Sequence, residues 1–503
     1  MLLLGIDLGT SSIKVSVVDA EKKICLASAH YPDSEAEIIA PHPGWAEQSP
    51  DLWWEYTRQA ILKCHATQLY DPKEIAAIGI AYQMHGLVLV DKKGEVLRNS
   101  IIWCDSRAVS IGDKAFEEIG EEKCLAHLLN SPGNFTASKL AWVKSNEPAV
   151  YERIDKLMLP GDFIAMKLTG EPTTTMSALS EGIFWDFREG GLSNDVMDYY
   201  DFNSSFIPRI QPVFSIHGAV SEQVALRLSL RKGIPVSYKA GDQPNNAFGL
   251  NVLEPGEVAA TAGTSGVIYG MSDQLFYDQQ SRINSFAHVN HSSEKNRIGV
   301  LLCINGAGIF YRWIKENFGG QQNYDSLNAG AALVAPGSEG LLMLPFGNGA
   351  ERILSNRMLG SHIHFLDFNI HKTEHLARAA QEGIAFSFRY GLDIMKENGM
   401  KPSVIRAGRT NMFLSEVFAR AFVDVTGVPV ELYSGDGSMG AAFGAGVGAG
   451  IYKNIRDPFT GRKPLKLIEP TRSDVYEEHY EKWKLLLEMQ VGVRSRESGV
   501  RSS

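Results

Sequence analysis

Cysteine pairs at metal-binding or redox spacing are missing from this chain. Its five cysteines (Cys25, Cys64, Cys104, Cys124, Cys303) are scattered over 503 residues with no C-x-x-C. That excludes a cysteine zinc site of the usual spacing and a disulfide framework, and it fits a reducing cytosol. Long apolar runs are missing too: Met1-Leu2-Leu3-Leu4 is halted by Asp7, and Gly440 to Tyr452 is too short to span a bilayer. Neither a signal peptide nor a membrane span is expected, so the predicted location is cytoplasmic. Positive charge is short as well, with 49 Lys and Arg against 58 Asp and Glu and a net charge of −9. No basic stripe stands out, which argues against nucleic acid as a partner. No G-x-x-x-x-G-K-[ST] occurs, which excludes a P-loop enzyme, and the C-terminal glycines do not spell G-x-G-x-x-G. His362 and His364 lack a cysteine or carboxylate at ligand spacing and are not expected to bind metal.

Glycine and small hydroxyl residues are arranged twice in the same way. Gly9-Thr10-Ser11-Ser12 follows the apolar run Leu2 to Leu8 and precedes Ile13 to Val18; Gly263-Thr264-Ser265-Gly266 follows Glu257 to Ala262 and precedes Val267 to Gly270. Each reads as a β-hairpin whose tip offers close backbone approach and N–H and O–H donors, which suits phosphate oxygens. Two such tips predict a duplicated fold with phosphates clamped between its halves. Length points the same way, since 503 residues exceed one usual core and imply two domains of about 200–250 residues.

Strands alternate with helices through both halves, which predicts α/β architecture. Ser49 is expected to cap a helix with Pro50 at its first position. Ile75–Ala81 reads as a buried strand with Leu87–Val90 as its partner. Thr373–Asn398 reads as a long helix closed by Gly399, with further helices at about Met412–Thr426 and Ser438–Ile451. Glycines 440, 444 and 448 fall on one face of the last of these and predict close packing.

Three places carry candidate chemistry. Asp7 ends a strand before the first Gly-Thr-Ser tip; it either satisfies its own turn or holds magnesium through water. Asp242 follows a strand in Gly241-Asp242-Gln243-Pro244, where a carboxylate is placed as a general base or as a turn former. Gln83-Met84-His85-Gly86 follows another strand and brings an amide and an imidazole to where a polyhydroxylated ligand would sit. Tryptophans 45, 53, 54 and 103 read as core or interface residues.

The hairpin Gly5-Ile6-Asp7-Leu8-Gly9-Thr10-Ser11 resembles the opening of the FGGY carbohydrate kinases, and the resemblance runs through nearly the whole chain. Its other marks include Gly44-Trp45-Ala46-Glu47-Gln48, Met84-His85-Gly86, Trp103-Cys104-Asp105-Ser106-Arg107, Lys139-Leu140-Ala141-Trp142, Gly241-Asp242 and Gly263-Thr264-Ser265-Gly266. It implies two actin-like (ribonuclease H-like) ATPase domains with an interdomain active-site cleft. The first, 1–250, would carry the sugar and the base. The second, 251–503, would carry the nucleotide, with a final helix at about 473–490 packing back on the first domain.

The resemblance further implies ATP-dependent phosphorylation of a small-molecule sugar with Mg2+, and Asp242 as the base. Met84, His85, Asp105 and Gln243 would bind the sugar. Gly9, Thr10, Ser11, Gly263, Thr264 and Ser265 would bind phosphates, Ala407 and Gly408 would lie on the adenosine side, and Asp7 would lie near the metal. Met84-His85-Gly86 leans toward D-xylulose; ribulose, fuculose, gluconate and erythritol, and a non-catalytic sugar or nucleotide sensor, stand as alternatives. A homodimer is one option for assembly. Arg406 and Asn134 replace glycines of the family pattern, which raises the question of altered nucleotide preference at Arg406.

Overall fold

Leu2–Leu8 (β1) and Ile13–Asp19 (β2) pair antiparallel, Leu8 opposite Ile13, so that Gly9–Ser12 form the tip between them. Six of the seven β1 residues are buried, because the strand is covered on both faces. This computed structural model of the protein describes residues 1–471 and 474–501, with the backbone alone for 493–501. Ile24–Tyr31 (β3) extends the antiparallel ribbon, while Ile75–Tyr82 (β4) lies parallel to β1 on its other side. Phe214–Ala219 (β5) and Pro235–Gly241 (β6) complete a six-stranded sheet in the order β5–β6–β4–β1–β2–β3. Helices of this half include Pro50–His65 (α1), capped by Ser49 as expected, Thr136–Asn146 (α2), Met176–Glu181 (α3) and Asp242–Gly249 (α4).

The second half repeats this plan. Glu257–Ala262 (β7) and Gly266–Ser272 (β8) form its hairpin, Asn284–Ala287 (β9) and Ile298–Ile304 (β10) extend the ribbon, and Val404–Gly408 (β11) lies parallel to β7. Val430–Tyr433 (β12) and Lys466–Ile468 (β13) finish a seven-stranded sheet in the order β9–β10–β8–β7–β11–β12–β13. Strands β10–β8–β7–β11–β12–β13 thus match β3–β2–β1–β4–β6–β5 in order and direction. The helices are Gly308–Phe318 (α5), Tyr324–Leu333 (α6), Thr373–Glu397 (α7), Glu416–Thr426 (α8), Gly437–Gly448 (α9) and Asp474–Arg501 (α10). Among the described residues no helix is long and apolar enough to cross a membrane.

Several expectations are corrected. Val88–Val90 pairs with Lys156–Met158, not with β4. The helix expected from Met412 begins only at Glu416, because Ser415 caps it and residues 411–414 form a separate 3-10 turn. The element that returns to the first sheet is α9, not the final helix. Helix α9 lies across β1, β4 and β6, and glycines on both sides make room. A methyl at Gly5 or Gly79 would strike the α9 backbone at Ser438 or Ala441, and one at Gly444 would lie 2.5 Å from the Tyr238 ring. Helix α10 instead buries Tyr476, Tyr480, Trp483 and Leu487 in the second core, with Trp483 Nε1 donating to Met343 O at 2.8 Å.

Candidate active site

The C-terminal ends of β4 and β1 lie side by side, and Gln83 N–H donates to Leu8 O at 2.8 Å. The turn after β4 therefore meets the first Gly-Thr-Ser tip. Thr10 Oγ1 donates to Gln83 Oε1 (3.2 Å) and accepts from Trp103 Nε1 (2.9 Å), while Gln48 Nε2 donates to Thr10 O (2.8 Å). Gly9 N–H is shared between Asp7 O and Ser12 O, and Ser11 stands exposed at the tip with its carbonyl held by Ala36 N–H. Trp103 is 51% exposed, so it is no core residue; its indole flanks the tip. Sequence reasoning missed it because a tryptophan's burial cannot be read from its type.

His85 takes a left-handed backbone (φ 64°), and its carbonyl accepts from Lys139 Nζ at 2.9 Å; the same ammonium reaches Ile102 O at 3.0 Å. Buried Lys139 on α2 thus staples the His85 turn to the Trp103 loop, at the cost of a pKa lowered to about 7, chiefly by burial. The His85 ring sits against Phe135 (4.8 Å) and against Phe286 (5.4 Å) of β9, so it touches both halves. Its Nδ1 lies 3.0 Å from Glu181 O. A carbonyl only accepts, so Nδ1 carries the proton and Nε2 is left as an acceptor. Burial first, then Lys139, hold His85 down to about 3, so the ring is neutral.

Asp105 is fully buried and its carboxylate is occupied. It accepts from Ala46 N–H at 2.5 Å, Arg107 N–H at 2.9 Å and the Arg107 guanidinium at 2.7 Å. It anchors the Trp103 loop and does not present its carboxylate to the cleft, contrary to the expected sugar contact. Asn134, the departure from glycine, donates to Asp105 O and so belongs to the same anchor.

The polar turn expected after β6 is instead a helix start: Asp242 is the first residue of α4. A helix N-terminus favours an anion, yet burial and then the charge of Asp7 outweigh it and push Asp242 up to about 7. Gln243 Nε2 reaches Asp242 Oδ2 at 3.3 Å. Asp7 is itself pushed up to about 6, by burial first and Asp436 second, with Lys14 opposing. Its carboxylate abuts Gly437 at the start of α9, where any side chain would collide with it. Asp436 thus raises Asp7 and Asp7 raises Asp242, a run of negative charge that a divalent cation beside Asp7 would relieve. Among the described residues no three His, Cys, Asp or Glu are grouped to hold a metal, so such an ion would complete its shell with water and phosphate oxygens, as magnesium does. Met84 completes this wall: a methyl on Gly241 would lie 2.7 Å from Met84 Cγ.

The second hairpin tip borders a separate pocket of about 350 Å³, lined by Gly263, Thr264, Tyr311, Asn328, Asn411 and Met412 among others. Helix α5 starts against the tip, with Gly308 N–H donating to Gly263 O and Ile309 N–H to Thr264 O. Thr264 is exposed, and Ser265 is half-buried in the turn beyond it. Ala407 is buried within β11; Gly408 ends that strand next to the 411–414 turn that walls the pocket. Tyr311, Asn328 and Asn411 were not singled out from sequence; only Asn411, three residues past Gly408, carried a positional signal. Arg406 donates to Glu431 (2.8 Å), Glu257 (3.1 Å) and Asn251 O (2.6 Å), so its guanidinium serves the sheet and is not in the pocket lining.

Residues 2–249 match the N-terminal domain, and 258–450 the C-terminal domain, of the FGGY family of carbohydrate kinases. A xylulose kinase of Escherichia coli (strain K12) is 29% identical over 88% of each chain, and one of Staphylococcus epidermidis (strain ATCC 12228) is 30% identical over 95% of each. The crystal structure of xylulose kinase from Rhodospirillum rubrum superposes with a TM-score of 0.86 at 26% identity, covering 97% of this chain and 99% of that one. A gluconate kinase structure from Lactobacillus acidophilus shares the fold (TM-score 0.87, 21% identity, 97% and 98% covered).

Proposed function

The chain belongs to the FGGY family of carbohydrate kinases, and on that premise we propose that it transfers the γ-phosphoryl group of ATP to D-xylulose, giving D-xylulose 5-phosphate. The observation that carries the reading is Asp242, a half-buried carboxylate at the end of β6 whose pKa is pushed up to about 7, beside the Met84–His85 wall. A base poised near neutrality accepts a proton efficiently as the nucleophile attacks. Asp242 takes the proton of the sugar hydroxyl, expected to be O5, while that oxygen bonds to the γ-phosphorus and the bond to the ADP oxygen breaks.

His85 Nε2 accepts a hydrogen bond from a sugar hydroxyl, Gln243 orients the base, and Trp103 gives the sugar an apolar floor. The Gly9–Ser11 and Gly263–Ser265 tips hold the phosphates with their backbone amides, and the pocket along Tyr311, Asn328 and Asn411 takes the adenosine, next to Ala407 and Gly408. Asp7 would hold magnesium through water, and the ion would neutralise phosphate charge when bound. The division of labour falls at about residue 250, with sugar on the first domain and nucleotide on the second.

Support for xylulose over other sugars comes from the similarity to enzymes of that name. The test is ADP release coupled to a redox readout, with D-xylulose, ribulose, fuculose, erythritol and gluconate offered in turn. The expected result is the highest kcat/KM on D-xylulose; a clear preference for another sugar would move the assignment within the family, and no turnover on any would favour a sensor.

A further inference from the structure

Glu181 closes α3 with a carboxyl that is 2% exposed, and neither of its oxygens accepts a hydrogen bond of normal geometry. The Tyr82 phenol, and after it the Lys139 ammonium, are the groups that favour its charged form. Buried polar atoms are nearly always satisfied, and an orphan carboxyl lowers the stability of the fold that contains it. Such a group persists in a cleft wall when something that is not always present satisfies it.

Its position is specific. The carbonyl of Glu181 holds His85 Nδ1 at 3.0 Å, while its Oε2 stays 3.9 Å from the same nitrogen, too far to bond. A methyl on Gly241, the residue before Asp242, would lie 3.0 Å from Glu181 Oε2 and 2.7 Å from Met84 Cγ. The carboxyl therefore sits behind the base and the imidazole, next to a methionine, an unbranched side chain that repacks easily. The rest of α3 is tied to the second half: Ser177 Oγ donates to Ala287 O at 2.8 Å, and Ser180 Oγ accepts from Ala287 N–H at 3.0 Å. Helix α3, which ends at Glu181, is thereby fastened to the second half.

We propose that Glu181 is a specificity-determining residue of the sugar site, its carboxyl reserved for a hydroxyl of an uncharged sugar and set against sugar acids. The proposal rests on the kinase reading above. Burial, reinforced by the charges of Asp242 and Asp162 and opposed by the Tyr82 phenol and Lys139, raises the group well above the usual carboxylate range and favours the protonated form, which offers one donor and one acceptor to a hydroxyl. A sugar carboxylate would add negative charge beside Asp242 in a poorly hydrated wall, which is unfavourable.

Glu181→Met and the near-isosteric Glu181→Gln, made in the full chain, test this with D-xylulose and gluconate at saturating MgATP. In Glu181→Met the sugar-free melting temperature is expected to rise, since an unsatisfied group is lost, while kcat/KM for D-xylulose falls roughly 10–100-fold and the apparent constant for ATP changes less than about twofold. Glu181→Gln, which keeps a donor and an acceptor, should recover part of the loss. The kcat/KM ratio of xylulose to gluconate should drop in both variants. A D-xylulose kcat/KM within about threefold of the parent in both folded variants, or a lowered melting temperature with unchanged sugar kinetics, overturns the proposal. If the parent itself ignores D-xylulose, the functional assignment fails instead, and the Glu181 test proceeds on whichever uncharged sugar the parent phosphorylates.

Discussion

At the scale of single residues, the contest around Asp242 has a measurable outcome. Burial and the neighbouring Asp7 raise its pKa to about 7 against the pull of a helix N-terminus. The base works only when ionised, so kcat/KM is expected to rise with pH through about 7 and to be lost below it. Asp7→Asn removes the second cause of the shift and should move that midpoint to lower pH, while raising the apparent constant for Mg2+; an unmoved midpoint in the pH profile would break the coupling. Asp242→Asn should lower turnover by about 10²–10⁴ with sugar binding retained, the usual loss for a general base. Turnover within about tenfold of the parent would take the role away from Asp242. His85→Ala should weaken sugar binding by about 1–3 kcal/mol in calorimetric titration, because a hydroxyl then faces no acceptor. Its contacts with Phe135 and Phe286 mean some stability is lost as well, so sugar affinity of the folded variant is the deciding quantity. Both candidate aspartates were legible in the sequence because each lies at the C-terminal end of a strand, Asp7 within it and Asp242 just past it. Trp103, Lys139 and Glu181 were not, since exposure and pairing depend on neighbours 37 to 96 residues away.

Among the elements, α9 lays the second half across the first sheet. Its glycines let the helix backbone rest directly on β1, β4 and β6, and its first residue abuts Asp7. Gly444→Ala sets two effects against each other. Helix propensity favours alanine by about 1 kcal/mol, whereas a methyl 2.5 Å from the buried Tyr238 ring overpacks the contact at a typical cost of about 1–3 kcal/mol. Net destabilisation is expected, read as a lowered denaturant midpoint at unchanged m-value; a stabilised variant would show that the helix is free to shift. The one-per-turn glycine spacing announced close packing, but not its partner. The same limit explains α10, whose existence was legible while its seat on the second core was not.

For the whole molecule, duplication is the governing fact. Six strands of each half share order and direction, and each half offers one Gly-Thr-Ser tip. The tips differ in surroundings: Thr10 is locked by Gln83 and Trp103, while Thr264 is exposed beside the 350 Å³ pocket. A substitution at the second tip should therefore act on nucleotide alone. Thr264→Val is expected to raise the apparent constant for ATP by roughly tenfold, the worth of a hydrogen bond to a charged group, with the sugar constant little changed. Steady-state titration of each substrate checks this; an effect confined to the sugar would reverse the assignment of the halves.

What the sequence determined by itself was local and periodic. Strand-turn-strand chemistry at both tips, the caps of α1 and α7, the two-domain α/β class and the strand-end positions of Asp7 and Asp242 all follow from residue type and spacing, which act over a few residues. The tertiary structure alone decided which groups share a site. It turned Asp105 inward onto Arg107, sent Arg406 to the sheet carboxylates, exposed Trp103, and left the Glu181 carboxyl without a hydrogen bond of normal geometry behind Gly241. Burial and electrostatic environment are sums over neighbours that only the packed fold brings together, so no reading along the chain could supply them.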